Sequence, residues 1–251
     1  MVVASDMIVE AFTHLAPTYG SAFDRELKAV WGLGYRDLVA RLVGSISIGS
    51  SDVILDVGTG TAQIPVTVAT QSEPGSISIG LDITPAMLRC GRANVSANGV
   101  GSRVRLVCAS AMNMPFAAGH VDSVICGFAM HHLDVPRMLA ETRRVLREGG
   151  QLVLACVAAP ALLRTRVAAS LAAAMASACR AAGASARIQA EIASIANIRT
   201  AREWHSALAH SGFECIQTVA EFPGRRRWYP GAVLIKARKG RRPTSAGYWA
   251  D

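Results

Sequence analysis

Val53-Ile54-Leu55-Asp56-Val57-Gly58-Thr59-Gly60-Thr61-Ala62-Gln63, followed downstream by Leu81-Asp82, decides how this chain folds. Val53-Ile54-Leu55 is apolar and β-branched, the composition of a parallel strand buried on both faces. Gly58 and Gly60 let the chain turn tightly where a ligand must approach the backbone, and a helical pattern follows from Ala62. A second strand, Ser76 to Leu81, ends in the acid Asp82. A tight turn at the tip of one strand and a carboxylate at the tip of the next outline a nucleotide-ribose site, with the acid accepting from the ribose hydroxyls. The dinucleotide fingerprint G-x-G-x-x-G is not met, because neither Thr61 nor Gln63 is glycine.

Working outward, strands alternate with helices. The pattern predicts strands at Asp52–Val57, Ser76–Asp82, Arg103–Cys108, Val121–Gly127 and Gln151–Val157. A helix runs from Ala62 to about Gln71. Thr84 as N-cap and Pro85 at the first helical position open the next, which Asn98-Gly99 ends. Asp134 and Pro136 open a third, with Gly149-Gly150 closing it. This βαβα rhythm predicts a parallel sheet with helices on both faces. Before it, two helices are expected, Asp6–Leu15 and Phe23–Val43, broken at Pro17 and Gly20. After it, 160–198 reads as an alanine-rich helical insert in which Leu163, Val167, Leu171, Met175 and Cys179 form one apolar stripe, packed on the core or serving as a lid. Thr200-Ala201-Arg202-Glu203 is a capping box for a helix ending at Gly212. Phe213–Phe222 and Gly231–Ala237 then form a terminal antiparallel hairpin. The expected organisation is a single domain over 1–251: a helical cap (1–45), a core (51–157), the insert (160–198), a final helix and hairpin (200–238) and a basic tail (239–251).

At 251 residues the chain is long enough to bury a core without staples. Hydrophobic residues make up 51% and aromatics 6%, so that core is aliphatic. The six cysteines (90, 108, 126, 156, 179, 215) form no C-x-x-C and read as buried reduced thiols of a cytoplasmic protein. No secretory signal opens the sequence, and the apolar tract between Arg166 and Arg180 is too short to span a bilayer. The net charge of +8 is concentrated at the end: from Glu221 onward, eight basic residues face two acids. That tail reads either as a solvated surface or as a patch making weak, nonspecific contact with anionic lipid or nucleic acid. No His/Cys spacing suits a metal, and none is expected.

Four blocks in order carry a family resemblance: Asp56–Gln63; Gly80-Leu81-Asp82-Ile83-Thr84-Pro85-Ala86-Met87-Leu88; Ser110-Ala111-Met112-Asn113-Met114-Pro115-Phe116; and Arg144-Val145-Leu146-Arg147-Glu148-Gly149-Gly150. Together they resemble class I S-adenosylmethionine-dependent methyltransferases from about Ser51 to Val157, and more loosely to Ala237. The opening Ala11-Phe12-Thr13-His14-Leu15-Ala16-Pro17-Thr18-Tyr19 is similar to the start of the C-methyltransferases of ubiquinone and menaquinone biosynthesis. The resemblance implies a three-layer Rossmann-like fold, with a mostly parallel seven-stranded sheet ending in an antiparallel hairpin, and S-adenosylmethionine as cofactor. It implies cofactor contacts from Asp56, Gly58, Thr59, Gly60 and Gln63, from Asp82, Ile83 and Met87, from Ser110, Ala111 and Met112, and from Phe128, which with Ala129 would line the path to the substrate. Tyr19 would close over the site. Two residues depart from the family pattern: Ala62 replaces a third glycine, and Ser110 stands where an Asp usually accepts from the adenine amino group.

Methyl transfer from a sulfonium is an in-line displacement in which the protein supplies proximity and alignment. His131 and His132 follow strand four and, with an ordinary imidazole pKa, one of them is a candidate base for a hydroxyl acceptor, or a structural hydrogen-bonder. Gly127-Phe128-Ala129-Met130-His131 lacks the run used for nucleobase amines. The reading adopted is a small-molecule methyltransferase acting on an apolar or aromatic acceptor, a quinone-type ring or a secondary metabolite. An RNA or protein methyltransferase guided by the Arg-rich tail and a non-catalytic cofactor-binding protein are the alternatives.

Overall fold

The computed structural model describes residues 5–160, 186–224 and 230–240, together with isolated positions between 170 and 182. Its frame is a seven-stranded sheet: β1 (Val53–Val57), β2 (Ile77–Asp82), β3 (Val104–Cys108), β4 (Val121–Gly127), β5 (Leu146–Ala158), β6 (Phe213–Phe222) and β7 (Gly231–Lys239). The order is β3-β2-β1-β4-β5-β7-β6. The first five strands pair in parallel, whereas β7 runs antiparallel to β5 and β6 antiparallel to β7. The chain leaves β1 for β2 on one side and returns to β4 on the other, so a crevice opens at the carboxyl ends of β1 and β4, where ligands of open α/β sheets bind.

Alternation along the central strands builds two cores. Leu55, Val57, Val124, Cys126, Leu152 and Leu154 pack beneath Met138 and Leu139 of α6 (Val135–Val145) and Trp204 and Leu208 of α8 (Ala201–His210). Their neighbours Ile54, Ile125, Val153 and Ala155 face the other way, onto Leu27 of α2 (Tyr19–Trp31), Leu38 and Leu42 of α3 (Tyr35–Gly44) and Ile64 of α4 (Gln63–Gln71). This period of two is what a strand imposes when both faces are covered. Helix α5 (Pro85–Ala97) covers β2 and β3, α1 (Ser5–Leu15) crosses the strand tips, and α7 (Ala186–Ser194) packs against α1.

Three expectations need correction. The helix expected over 23–43 is two, because Gly32 adopts φ +69°, caps α2 through its amide on the Lys28 carbonyl and starts a turn into α3. Gly20, expected to break the first helices, lies inside α2. Gly149-Gly150 does not close α6, which stops at Val145, and the chain passes directly into β5 with Leu146 paired to Val121. Strand β7 also runs beyond Ala237 to Lys239, which is buried and donates to the Leu146 carbonyl at 2.7 Å beside Glu148 at 3.1 Å. That cation belongs to the core rather than to a solvated tail. Asp134 caps α6 through the Arg137 amide, and the Thr200–Glu203 capping box is formed. Cys126 and Cys156 are buried, but Cys108 and Cys215 are exposed. The apolar stripe from Leu163 to Cys179 and the arginines Arg225, Arg226, Arg227, Arg241 and Arg242 lie outside the described residues. Among the described residues, no helix is long and apolar enough to cross a membrane.

Candidate active site

The β1–α4 turn is held by backbone bonds: the amides of Gly58 and Thr59 both donate to the Leu81 carbonyl, at 2.8 and 3.0 Å. Gly58 sits at φ +73°, and a Cβ there would stand 2.5 Å from the Ala129 Cβ, so the turn admits no side chain. The Gly60 amide donates to Asp82 Oδ2 and the Thr84 amide to Oδ1, both at 2.8 Å. Thr84 thus stands at the N-cap position but binds Asp82 through its backbone, and its own side chain makes no cap bond to the helix. Burial pushes the Asp82 carboxyl above the usual carboxylate range while these amides pull it back. The result is an oriented acceptor at the strand tip.

Above this turn lies a cavity with about 780 Å³ of empty space, part of it open to solvent. Gly58, Gly60, Asp82 and Ile83 form one wall, Met87, Ser110, Ala111 and Met112 another, and Tyr19, Phe128 and His132 close the top. These are eleven of the residues named from the sequence, brought together from seven segments of chain. Asp56, Thr59 and Gln63 lie outside it. Asp56 and Thr59 are buried beneath the turn, at 1% and 4% exposure. Gln63 opens α4 on the far side and lines a shallow polar groove with Ser21, Asp24 and Arg36. Burial pushes the Asp56 carboxyl up to about 7, while the Thr59 hydroxyl beside it pulls it back. Ser110 turns its hydroxyl to accept from the Met112 amide at 3.2 Å.

A second cavity, with about 1110 Å³ of empty space, adjoins the first. Phe12, Tyr19, Phe128 and His132 line both. Its other walls include Phe23, Leu27 and Trp31 from α2, Ile192 from α7 and Ile195 and Ile198 just beyond, with the carboxylates of Glu26 and Glu191 among them. The aromatic rings interlock: Trp31 stacks on Phe128 with centroids 5.1 Å apart, Tyr19 stacks on Phe23 at 5.3 Å, and Phe12 meets His132 edge-on at 5.4 Å. Phe128 is held at φ +57°, a conformation that a bulky residue adopts only when its surroundings enforce it. Sequence reasoning missed this half. Phe12 falls in the quoted opening block, but nothing local marks Trp31, Ile192 or Glu191, which reach the site only through the tertiary fold.

His131 lines the second cavity alone, and His132 stands between the two. Burial drives the His131 pKa well below the ordinary imidazole value and that of His132 down to about 4, so both rings are neutral at neutral pH. A hydroxyl proton is poorly accepted by a group of such low basicity. The Tyr19 phenol is pushed well above its usual range by burial and by Asp82, so it remains a neutral donor.

Residues 55–154 match a family model described as a methyltransferase domain. Over that segment, less than half of its length, the chain resembles class I S-adenosylmethionine-dependent methyltransferases. Demethylmenaquinone methyltransferase of Symbiobacterium thermophilum is 32% identical over 145 residues, covering 57% of this chain and 56% of that one. The chain therefore spans about half the length of the curated relatives that it matches. Among solved structures, geranyl diphosphate methyltransferase in complex with its cofactor shares the fold with a TM-score of 0.63 at 18% identity, over 81% of this chain and 85% of that one. The [4+2]-cyclase SpnF shares it with a TM-score of 0.69 at 16% identity, over 96% and 98%. A frame common to a methyltransferase and a cyclase shows the fold and leaves the reaction to the site. The methyltransferase cavity fits S-adenosylmethionine. The side-chain-free turn at Gly58 admits a ligand against the backbone, and Asp82 offers lone pairs to ribose hydroxyls. Ile83, Met87 and Met112 provide apolar surface for a base.

Proposed function

We propose that this protein transfers the methyl group of S-adenosylmethionine to a small, apolar, ring-containing acceptor held in the second cavity, with a quinone-type ring as the first candidate. The observation that carries this is the shared wall: Phe12, Tyr19, Phe128 and His132 face both cavities, so an acceptor in one lies against a donor in the other. The bound cofactor supplies an activated methyl on its sulfonium. The protein orients it through Asp82 and the Gly58–Gly60 backbone, and the aromatic wall excludes water and aligns the acceptor. With both histidines neutral and weakly basic, alignment carries the rate. The demethylmenaquinone and ubiquinone C-methyltransferases among the relatives support a ring carbon as the target. The single-domain organisation belongs to the same reading, since α1 and α7, outside the matched core, pack against each other and supply walls of the two cavities. So does a cytoplasmic location.

Purified protein should show a thermal shift with S-adenosylmethionine that is lost in Asp82→Ala, and should yield a methylated product, seen by mass spectrometry, from reduced demethylated quinones. Asp82→Ala removes an acceptor of charge-assisted bonds worth about 1.5–3 kcal/mol each, a loss of roughly tenfold or more in affinity per bond. An unchanged shift in the variant would overturn the cofactor assignment. Label transferred to RNA and to none of the quinols would overturn the acceptor assignment.

A further inference from the structure

The turn after β4 and the helical insert converge on one point. His131, His132 and Glu191 each offer one ligand atom, and these atoms lie within 4.8 Å of one another. His132 Nε2 stands 4.0 Å from Glu191 Oε1, and the two imidazole centroids are 4.0 Å apart. Both rings are more than nine-tenths buried, at 9% and 8% exposure. Their Nδ1 atoms are shut off from solvent and have no hydrogen-bond partner. Buried ring nitrogens without partners are costly, and each of these two rings carries one. All three residues line the acceptor cavity, and His132 also reaches the cofactor cavity.

We propose that His131, His132 and Glu191 bind a divalent first-row transition metal ion of the zinc or iron class, with its remaining coordination positions open to the acceptor cavity. Two imidazoles and a carboxylate form the donor set that suits such ions, and three protein ligands leave room for an outside oxygen. Ligand distances of about 2.0–2.2 Å place ligand atoms roughly 3–4 Å apart. The cluster therefore has to close only slightly, by about an ångström at most between His132 and the half-exposed Glu191. The turn is braced from the same insert: the Asn197 side-chain amide donates to the carbonyls of His131 and Leu133, at 3.1 and 3.2 Å. The spacing of His and Cys along the sequence gives no sign of this site, because its carboxylate arrives from a helix about sixty residues further on.

The metal proposal rests on the methyl-transfer reading only for the name of the cavity, and its test is independent of turnover. Chelator-stripped full-length protein is titrated with Zn²⁺ by calorimetry and with Co²⁺ by visible absorption, with the thermal shift on S-adenosylmethionine as the control for folding. One equivalent should bind, and the Co²⁺ spectrum should be that of nitrogen and oxygen ligation. Loss of an outer-shell partner already costs about 10–100-fold in affinity, so His132→Ala and Glu191→Gln should each weaken binding by at least about a hundredfold. Glu191→Gln, at a half-exposed position, keeps the test valid if a histidine variant fails to fold. No saturable uptake by the parent would overturn the metal site while leaving the methyltransferase reading intact. Uptake of equal affinity in the parent and in Glu191→Gln would also overturn it, placing the ion elsewhere, as at the exposed His210.

Discussion

The cofactor side and the acceptor side of this molecule are built by different means. The first is assembled from the tips of adjacent parallel strands, where backbone does the work: Gly58 and Thr59 donate to Leu81, and Gly60 and Thr84 donate to Asp82. All of it except Tyr19 and the α1 residues lies within or beside the segment matched by the family model. The second side is assembled mostly from side chains of α1, α2, α7, the turn after β4 and the turn at 195–198, joined by packing and a few hydrogen bonds. Backbone geometry demands particular residue types at fixed spacing, and short motifs record it. A shaped apolar wall demands only volume, which many sequences supply. Donor recognition is thus local in sequence and acceptor recognition is not.

The largest expected effect tests whether the cofactor side holds its charge in reserve. Asp56 lies beneath the turn beside the Thr59 hydroxyl, and burial pushes its carboxyl up to about 7 against the pull of that hydroxyl. In the unfolded chain the same group ionises near 4. Between about pH 4 and 7 the folded protein retains a proton that the unfolded chain has released, so this group's contribution to stability falls as pH rises through that window and is flat above it. The difference amounts to about 4 kcal/mol. Asp56→Asn stays neutral throughout, so the stability gap between variant and parent should grow in the variant's favour from pH 4 to pH 8 in denaturant titrations followed by circular dichroism. Parallel pH profiles would show that the carboxyl finds a partner in solution, and that the turn rests on ordinary hydrogen bonding.

A smaller effect tests the separation of the two sides directly. Trp31 lines only the acceptor cavity, stacks on Phe128 and donates its Nε1 hydrogen to the Pro230 carbonyl at 3.0 Å. An aromatic pair of this kind contributes about 0.5–1.5 kcal/mol beyond its buried area. Trp31→Ala should raise the acceptor KM by roughly tenfold, the upper end of that range, and leave the S-adenosylmethionine Kd unchanged by calorimetry. A matching loss in cofactor affinity would mean that Phe128, which faces both cavities, transmits the change and that the two sides act as one.

The same contrast explains what could be read from the sequence. The alternation of strands and helices, the antiparallel hairpin and the β1–β2 turn with its strand-end acid follow from apolar runs, turn glycines and acids, all of which are local. The break escaped because Gly32 and Gly34 sit inside an amphipathic run that masks them, yet Gly32 ends α2 with its left-handed φ and Gly34 caps α3. The end of α6 at Val145 escaped because Leu146 has a partner in Val121, a pairing invisible before the sheet forms. Asp56 and Thr59 stand inside the motif, yet a turn has an inner and an outer face, and spacing alone does not say which residue points where. Glu191 carries no local signal at all. Its place beside His132 depends on the insert returning over the strand tips.

The smallest expected effect probes the cofactor side at its one unusual residue. Ser110 lines the cavity and spends its hydroxyl on the Met112 amide at 3.2 Å, a bond that shapes the turn after β3. An aspartate at this position can accept from the same amide with one oxygen and present the other to the amino group of a bound base. A hydrogen bond to a charged group contributes about 1.5–3 kcal/mol, but here a second carboxylate must be desolvated in a cavity that already holds Asp82, which offsets most of the gain. Ser110→Asp should therefore bind S-adenosylmethionine as tightly as the parent, or up to roughly tenfold more tightly, a net of about 1 kcal/mol, as measured by calorimetry. If affinity falls instead, the adenine end is held by apolar contact with Ile83, Met87 and Met112 rather than by an acceptor. The backbone-directed character of this side would then stop at the ribose, and the base would be recognised by shape, as the acceptor is.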